Sequence, residues 1–181
     1  FLEMLAEGGY QVGALAKLRY PDGIEIRETE HAAAESATQA LLERDHIVLF
    51  EPAIRVGDFF VRIDILVKDG NRFELIEVKA KSYNSAKPEL FGARGGIRLD
   101  MLPYFQDAAF QTWVLQQVFP DAVIKTFLMM PDKAQIAPIN GINQMFRILP
   151  DREVKTTIPP GVDGKALAEL LLAKVDVSPS V

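Results

Sequence analysis

The sequence predicts an α/β fold in which a helix leads into a three-stranded antiparallel meander, followed by another helix and a further strand, giving a mixed central sheet flanked by helices. Three observations carry this prediction. Apolar residues recur at helical spacing over 1–18, 32–42 and 103–118. The runs 47–56, 59–68 and 72–80 read as strands, parted by Gly57-Asp58 and Asp69-Gly70-Asn71, both good hairpin turns. The run 123–130 is apolar on both faces, as befits a central strand covered on both sides.

Each element has local signals. The first helix is stopped by the turn Tyr20-Pro21-Asp22-Gly23. Thr29 can cap the second, which runs through Ala32 to Leu42 and breaks at Arg44-Asp45-His46. The three strand runs then form the meander. Residues 82–98 have little periodicity and read as a loop or lid longer than an ordinary connection. The next helix begins at Asp100 or Pro103 and ends at Val118, closed by Phe119-Pro120. Beyond 131 the signals weaken: 142–148 suits a short helix or strand, Pro159-Pro160-Gly161 reads as a linker, and 165–175 as a last apolar helix. The expected organisation is one domain over 1–150, then a linker and short C-terminal helix over 151–181 leading into a further region.

Composition narrows the function classes. A chain of 181 residues, 49% hydrophobic, can bury one sizeable core. Its net charge of -5 supplies no global basic field, so contact with nucleic acid would have to use a local patch. The absence of cysteine excludes disulfides, thiolate zinc sites and iron–sulfur clusters within this sequence. No apolar run reaches the roughly 18 residues that span a bilayer, and the first residues lack the layout of a signal peptide. A soluble, cytoplasmic protein without a membrane partner is expected. The start at Phe1 reads as a module cut from a longer polypeptide, with further domains as partners.

The chemistry-bearing residues lie on the second and third strand runs. Arg62-Ile63-Asp64-Ile65-Leu66 puts an acid inside one strand, and Leu75-Ile76-Glu77-Val78-Lys79 puts an acid and a lysine two residues apart on the next. Residues i and i+2 of a strand share a face, so Glu77 and Lys79 project together. A two-residue turn at Gly70-Asn71 would set position 64 opposite position 77, making the two carboxylates cross-strand neighbours. Like charges directly opposite destabilise a sheet, and two close carboxylates do not both stay ionised cheaply unless a cation lies between them. Oxygen ligands of this kind suit Mg²⁺ or Mn²⁺. The bland alternative is a half-exposed strand on which Arg62, across from Lys79 or diagonal to Glu77, makes an ordinary surface ion-pair ladder.

The element order, with Asp64 on the second strand and Glu77-Val78-Lys79 on the third, resembles the core of the PD-(D/E)XK nuclease superfamily. Asp107-Ala108-Ala109-Phe110-Gln111 matches the glutamine-bearing helix of its RecB-like exonuclease branch. Together with Gly9-Tyr10-Gln11-Val12-Gly13 and Phe50-Glu51, these segments resemble an uncharacterised bacterial domain family within that branch, over about residues 1–150. The resemblance implies a restriction-endonuclease-like core and a Mg²⁺- or Mn²⁺-dependent nuclease, an exonuclease-like phosphodiester hydrolase acting on DNA, with RNA as the alternative, in DNA processing or repair. It implies Asp64 and Glu77 as metal ligands with the Val78 carbonyl as a third, and Lys79 orienting water or steadying phosphate oxygens. It further implies Glu51 completing the metal shell or bonding water, and Gln111 reaching a metal-bound water or the phosphate. The sequence departs from better-known members at Val12-Gly13, where many carry a histidine after a glycine, and at Leu115, where a tyrosine often follows the glutamine. His31 is a candidate substitute for that histidine. A second reading therefore stays open: a nuclease fold without activity, used for nucleic-acid binding or assembly.

Two features bear on substrate. Lys79, Lys81, Lys87, Arg94 and Arg98 fall within twenty residues that hold one acid, Glu89. As a lid they could follow a phosphate backbone without reading sequence; as a solvated loop they would do nothing. Phe105, Phe110 and Trp113 are expected to pack their helix on the sheet, with base stacking as the rarer alternative.

Overall fold

The computed structural model describes residues 2–92, 94–150 and 153–181. Phe1, at the expected start of the first helix, and Asp151, at the expected start of the C-terminal segment, lie outside the described residues. The elements are α1 (Leu2–Leu18), β1 (Ile24–Glu25), α2 (His31–Leu42), β2 (His46–Phe50), β3 (Ala53–Val56), β4 (Phe59–Arg62), β5 (Ile65–Asp69), β6 (Arg72–Val78), α3 (Leu102–Val118), β7 (Val123–Pro131), β8 (Phe146–Ile148), β9 (Val154–Thr156), α4 (Gly164–Leu171) and β10 (Leu172–Asp176). Six strands make a mixed sheet in the order β1-β2-β5-β6-β7-β10, while β3-β4 and β8-β9 form two-stranded ribbons. The α/β class expected from the periodicities is the one observed.

The meander is present but bent. β5 and β6 pair antiparallel from Ile65↔Ile76 to Asp69↔Arg72, so Gly70-Asn71 is the two-residue turn that the sequence predicts. Gly70 takes the positive φ of 58° that such a turn requires. The two runs expected as single strands, 47–56 and 59–68, are each broken in the middle. β2 pairs β5 from His46↔Asp69 to Phe50↔Ile65, and β3 pairs β4 from Ala53↔Arg62 to Val56↔Phe59, in one unbroken register. Between them the chain bends at Glu51-Pro52 and Ile63-Asp64, where the Glu51 N–H donates to the Asp64 carbonyl and the Ile63 N–H to the Pro52 carbonyl, each at 3.1 Å. Pro52 has no N–H to give a ladder, and Glu51 has left the extended region with φ 56°.

The chain divides into two compact units, residues 22–77, 90–128 and 175–181 in one, and 1–21, 78–89 and 129–174 in the other. In the first, Leu49, Leu66, Phe73 and Leu75 form a buried face against which α3 sets Val114 and Leu115. The helix starts with a proline in its first turn, where a missing N–H costs nothing. The expectation that Phe110 and Trp113 do this packing is corrected. Both are more than two-fifths exposed, and they contact each other and Phe59 of β4, while Phe105 alone of the three is buried. Helix α2 is capped by Glu30 and not by Thr29: its carboxylate accepts from the N–H groups of Ala32 and Ala33 at 3.0 and 2.8 Å. Those two bonds hold the Glu30 carboxyl below its ordinary pKa. The β6–α3–β7 connection is a crossover, because the bonds Val123 N–H to Asn71 and Lys79 N–H to Met129 advance along both strands in the same direction.

In the second unit α1 packs with the β8-β9 ribbon and with α4. Gly164 permits close approach there, since a Cβ at that position would fall 2.7 Å from Ile158 Cδ1. The helix expected over 165–175 ends at Leu171, and 172–176 is instead β10. An apolar run of this length serves either structure, and a bare edge of β7 decides for the strand by pairing it. Residues 142–148 divide into a 3-10 turn over Ile142–Met145 and β8.

Candidate functional site

Glu77 sits near the end of β6 on the face that carries Phe73 and Leu75, because alternate strand residues share a face. It is 6% exposed, a burial that costs a carboxylate dearly unless polar partners meet it. One is Gln111, whose Nε2 donates to Glu77 Oε2 at 2.8 Å. Since Nε2 must face the carboxylate, the amide orientation is settled by charge, and Oε1 points elsewhere. That Oε1 is buried and has no hydrogen-bond partner. Asp64 follows directly on the β5–β6 pairing: the register Ile65↔Ile76, carried one residue further, sets it opposite Glu77. The register Phe50↔Ile65 likewise sets Glu51 opposite Asp64. Continued by register, three acids therefore follow one another where the meander bends: Glu77 within β6, Asp64 just before β5 and Glu51 just after β2.

Glu51 is the one non-glycine residue with positive φ among the described residues. A left-handed backbone costs a side-chain-bearing residue about 1–2 kcal/mol, and such outliers gather at functional sites. Arg62 does not form the surface ladder with Lys79 or Glu77. Its Nη1 and Nη2 donate to the carbonyls of Glu28 and Ile26, each at 2.8 Å, and its Nε lies 3.9 Å from Glu51 Oε2. His31 stacks on Phe60 with ring centroids 4.0 Å apart.

The remaining sequence candidates belong to the other compact unit or to the exposed surface. Val78 ends β6, and the N–H of the half-buried Lys79 donates to the Met129 carbonyl at 2.9 Å. Gln11, from the α1 motif, reaches the Phe146 carbonyl at 3.5 Å. The segment read as a loop or lid is tied down by backbone bonds. Residues 90–92 and 96–98 are brought together as in a small hairpin, through Gly92 N–H to Gly96 and Arg98 N–H to Leu90, and Arg94 is exposed. Lys87 pairs with Glu89 at 3.1 Å and Arg98 with Asp100 at 3.0 Å, so these two cations face acids across solvated ion pairs. Lys81 is half-buried in the segment before them.

A buried acid that the motifs do not indicate is Asp132, just past β7. It accepts from the N–H groups of Ser85 at 3.0 Å and Ala134 at 3.1 Å and from Gln135 Nε2 at 3.3 Å. Burial pushes its carboxyl up, but the Ser85 hydroxyl and N–H, the Ala134 N–H and the Gln135 amide outweigh that and hold it below its ordinary value. The signal available in the sequence is the local turn, an Asp accepting from the N–H two residues on.

Among the described residues no group of three or more His, Asp or Glu side chains is arranged to hold a metal ion. The set implied by the resemblance is smaller, two carboxylates and a carbonyl, and its donor chemistry fits a hard cation: Asp64, Glu77 and the orphaned Gln111 Oε1 all present acceptor oxygens. No helix is long and apolar enough to cross a membrane among the described residues. No family model, curated protein or solved structure matches this chain.

Proposed function

We propose that the protein is a metal-dependent DNA nuclease of the PD-(D/E)XK type, RecB-like, that works as a module in DNA processing or repair. The observation that carries this reading is the Glu77–Gln111 pair: a buried carboxylate whose amide partner keeps a second acceptor oxygen buried and unpartnered, with Asp64 next in the row. A buried acceptor oxygen such as Gln111 Oε1 calls for a cation or for the hydrogen of a water. Asp64, Glu77 and the Val78 carbonyl would hold Mg²⁺ or Mn²⁺. The ion, when bound, offsets the charge that grows on the phosphate and lowers the pKa of a coordinated water. Gln111 Oε1 accepts a hydrogen from the attacking water and so orients it. Lys79, a compact cation, steadies the phosphate oxygens. Arg94 and the other basic residues of 81–98 contribute contacts to the sugar–phosphate backbone that do not depend on sequence.

A second reading, a nuclease fold kept for binding or assembly without hydrolysis, is favoured by one detail: Gln111 already occupies Glu77 Oε2, leaving that oxygen less available to a metal. Single- and double-stranded DNA incubated with Mg²⁺ or Mn²⁺ separates the two. Wild type should degrade DNA, and Asp64→Ala and Lys79→Ala should each lose on the order of 100-fold or more in rate. If wild type cleaves nothing with either metal, or the variants match it, the nuclease reading fails. Metal-independent retention of DNA by an inert wild type would then establish the second.

A further inference from the structure

Resting on that reading, we propose that Arg62 is a positioning residue for the carboxylate row: it holds Glu51 in its left-handed conformation, and Glu51 in turn sets the backbone of Asp64. Two hydrogen bonds and one longer ion pair close a ring around the bend. The Ile26 N–H donates to the Phe50 carbonyl at 2.9 Å, the Ile26 carbonyl accepts from Arg62 Nη2 at 2.8 Å, and Arg62 Nε reaches toward Glu51 Oε2 at 3.9 Å. A second anchor, Nη1 on the Glu28 carbonyl, fixes the plane of the guanidinium, so the direction of its Nε–H is determined by backbone on the far side.

What this ring secures is the conformation that Glu51 would not adopt unaided. Its φ of 56° is unfavourable for a residue with a Cβ, and the following Pro52 narrows the choices further. The two hairpin turns nearby give their left-handed positions to Gly57 and Gly70. At the bend, by contrast, a carboxylate occupies the position, and its N–H grips the Asp64 carbonyl at 3.1 Å. The register on both sides is unbroken, so no inserted residue makes the bend. Asp64 is thereby taken out of regular strand geometry while staying in the row between Glu51 and Glu77. The assigned role for Glu51 is thus to orient Asp64 and not to ligate metal. Lysine cannot replace Arg62, because a single ammonium cannot bridge two carbonyls and a carboxylate in one plane.

The test is calorimetric titration of the full chain with Mn²⁺, paired with urea unfolding. Arg62→Lys should weaken Mn²⁺ binding about tenfold, the usual scale for a residue that orients a ligand. Glu51→Gln keeps an oxygen for the Arg62 Nε–H and should bind within about threefold of wild type, since its charge is not used on the metal. Glu51→Gly should weaken binding while unfolding at the same or a higher urea concentration, because glycine takes the left-handed backbone freely. A purely structural role would make affinity and stability fall together. The proposal is overturned if Arg62→Lys binds as wild type, if Glu51→Gln loses binding as completely as Asp64→Ala, or if Glu51→Gly is less stable than wild type. In those cases wild-type binding that Asp64→Ala abolishes leaves the metal site standing. Wild type that takes up no Mn²⁺ overturns both.

Discussion

Asp132 and Glu77 are the two buried carboxylates of this chain that its described residues expose by less than a tenth, and they are met in opposite ways. Asp132 is surrounded by donors: two backbone N–H groups and a glutamine amide point at its oxygens, and the carboxyl is correspondingly held ionised. Glu77 receives the Gln111 amide, but the other end of that amide is a buried acceptor with nothing to accept, and Asp64 stands next in register. A carboxylate met by donors is complete and fastens the chain, here tying the segment around Ser85 to the end of β7. What sets the Glu77 site apart is the acceptor that its partner brings with it: the buried Gln111 Oε1, which a cation or water would answer.

The largest expected effect tests the first half of that contrast. Asp132→Ala removes one acceptor from three part-buried donors at once, and should lower the unfolding free energy by about 2 kcal/mol, read from urea denaturation. A loss below about 1 kcal/mol would mean that Asp132 fastens nothing.

Glu77→Gln should move in the other direction. The new amide can accept from Gln111 Nε2 while giving Oε1 the N–H it lacks, and it removes a negative charge from the row. We expect a gain of about 1 kcal/mol without metal, together with loss of any stabilisation by Mn²⁺. Destabilisation in metal-free buffer would show that the charge of Glu77 itself contributes to the fold.

The smallest effect is in the pH profile. The Asp132 carboxyl is depressed in the folded state, so its contribution is complete above the unfolded value of about 3.9 and is lost as pH falls through the lower folded value. The stability gap between wild type and Asp132→Asn should therefore be constant from pH 7 to 5 and narrow only below about pH 4. A gap that closes nearer neutrality would place the shift on some other group.

The register on which the candidate site rests is legible in the sequence. Gly70-Asn71 is a turn whose geometry admits one register, and that register carries Asp64 to Glu77. The glutamine helix was legible as well, though not the bond from Gln111 to Glu77, since helical periodicity says which face a residue occupies and not what waits there. The outward aromatic cluster of Phe59, Phe110 and Trp113 was misread for the same reason: apolar character was visible, and the side it faces was not. The bend at Glu51-Pro52 was missed because the strand pattern continues through it in register. The C-terminal run was misread as all helix because its last residues are claimed by an edge of the sheet far away in sequence.

By itself, then, the sequence determined what local chemistry and spacing can determine: the α/β class, the turn at Gly70-Asn71, and the placing of an acid opposite an acid. These depend on dihedral preferences and on side-chain periods of 2 and 3.6, which act over a few residues. Only the tertiary structure decided that Arg62 turns to the carbonyls of Ile26 and Glu28, that Glu51 bends left-handed beside Asp64, and that Gln111 is left with an unanswered oxygen. Those outcomes depend on donors and acceptors brought together across long stretches of chain, where burial makes every unmatched group costly and no local preference says which partner will be found.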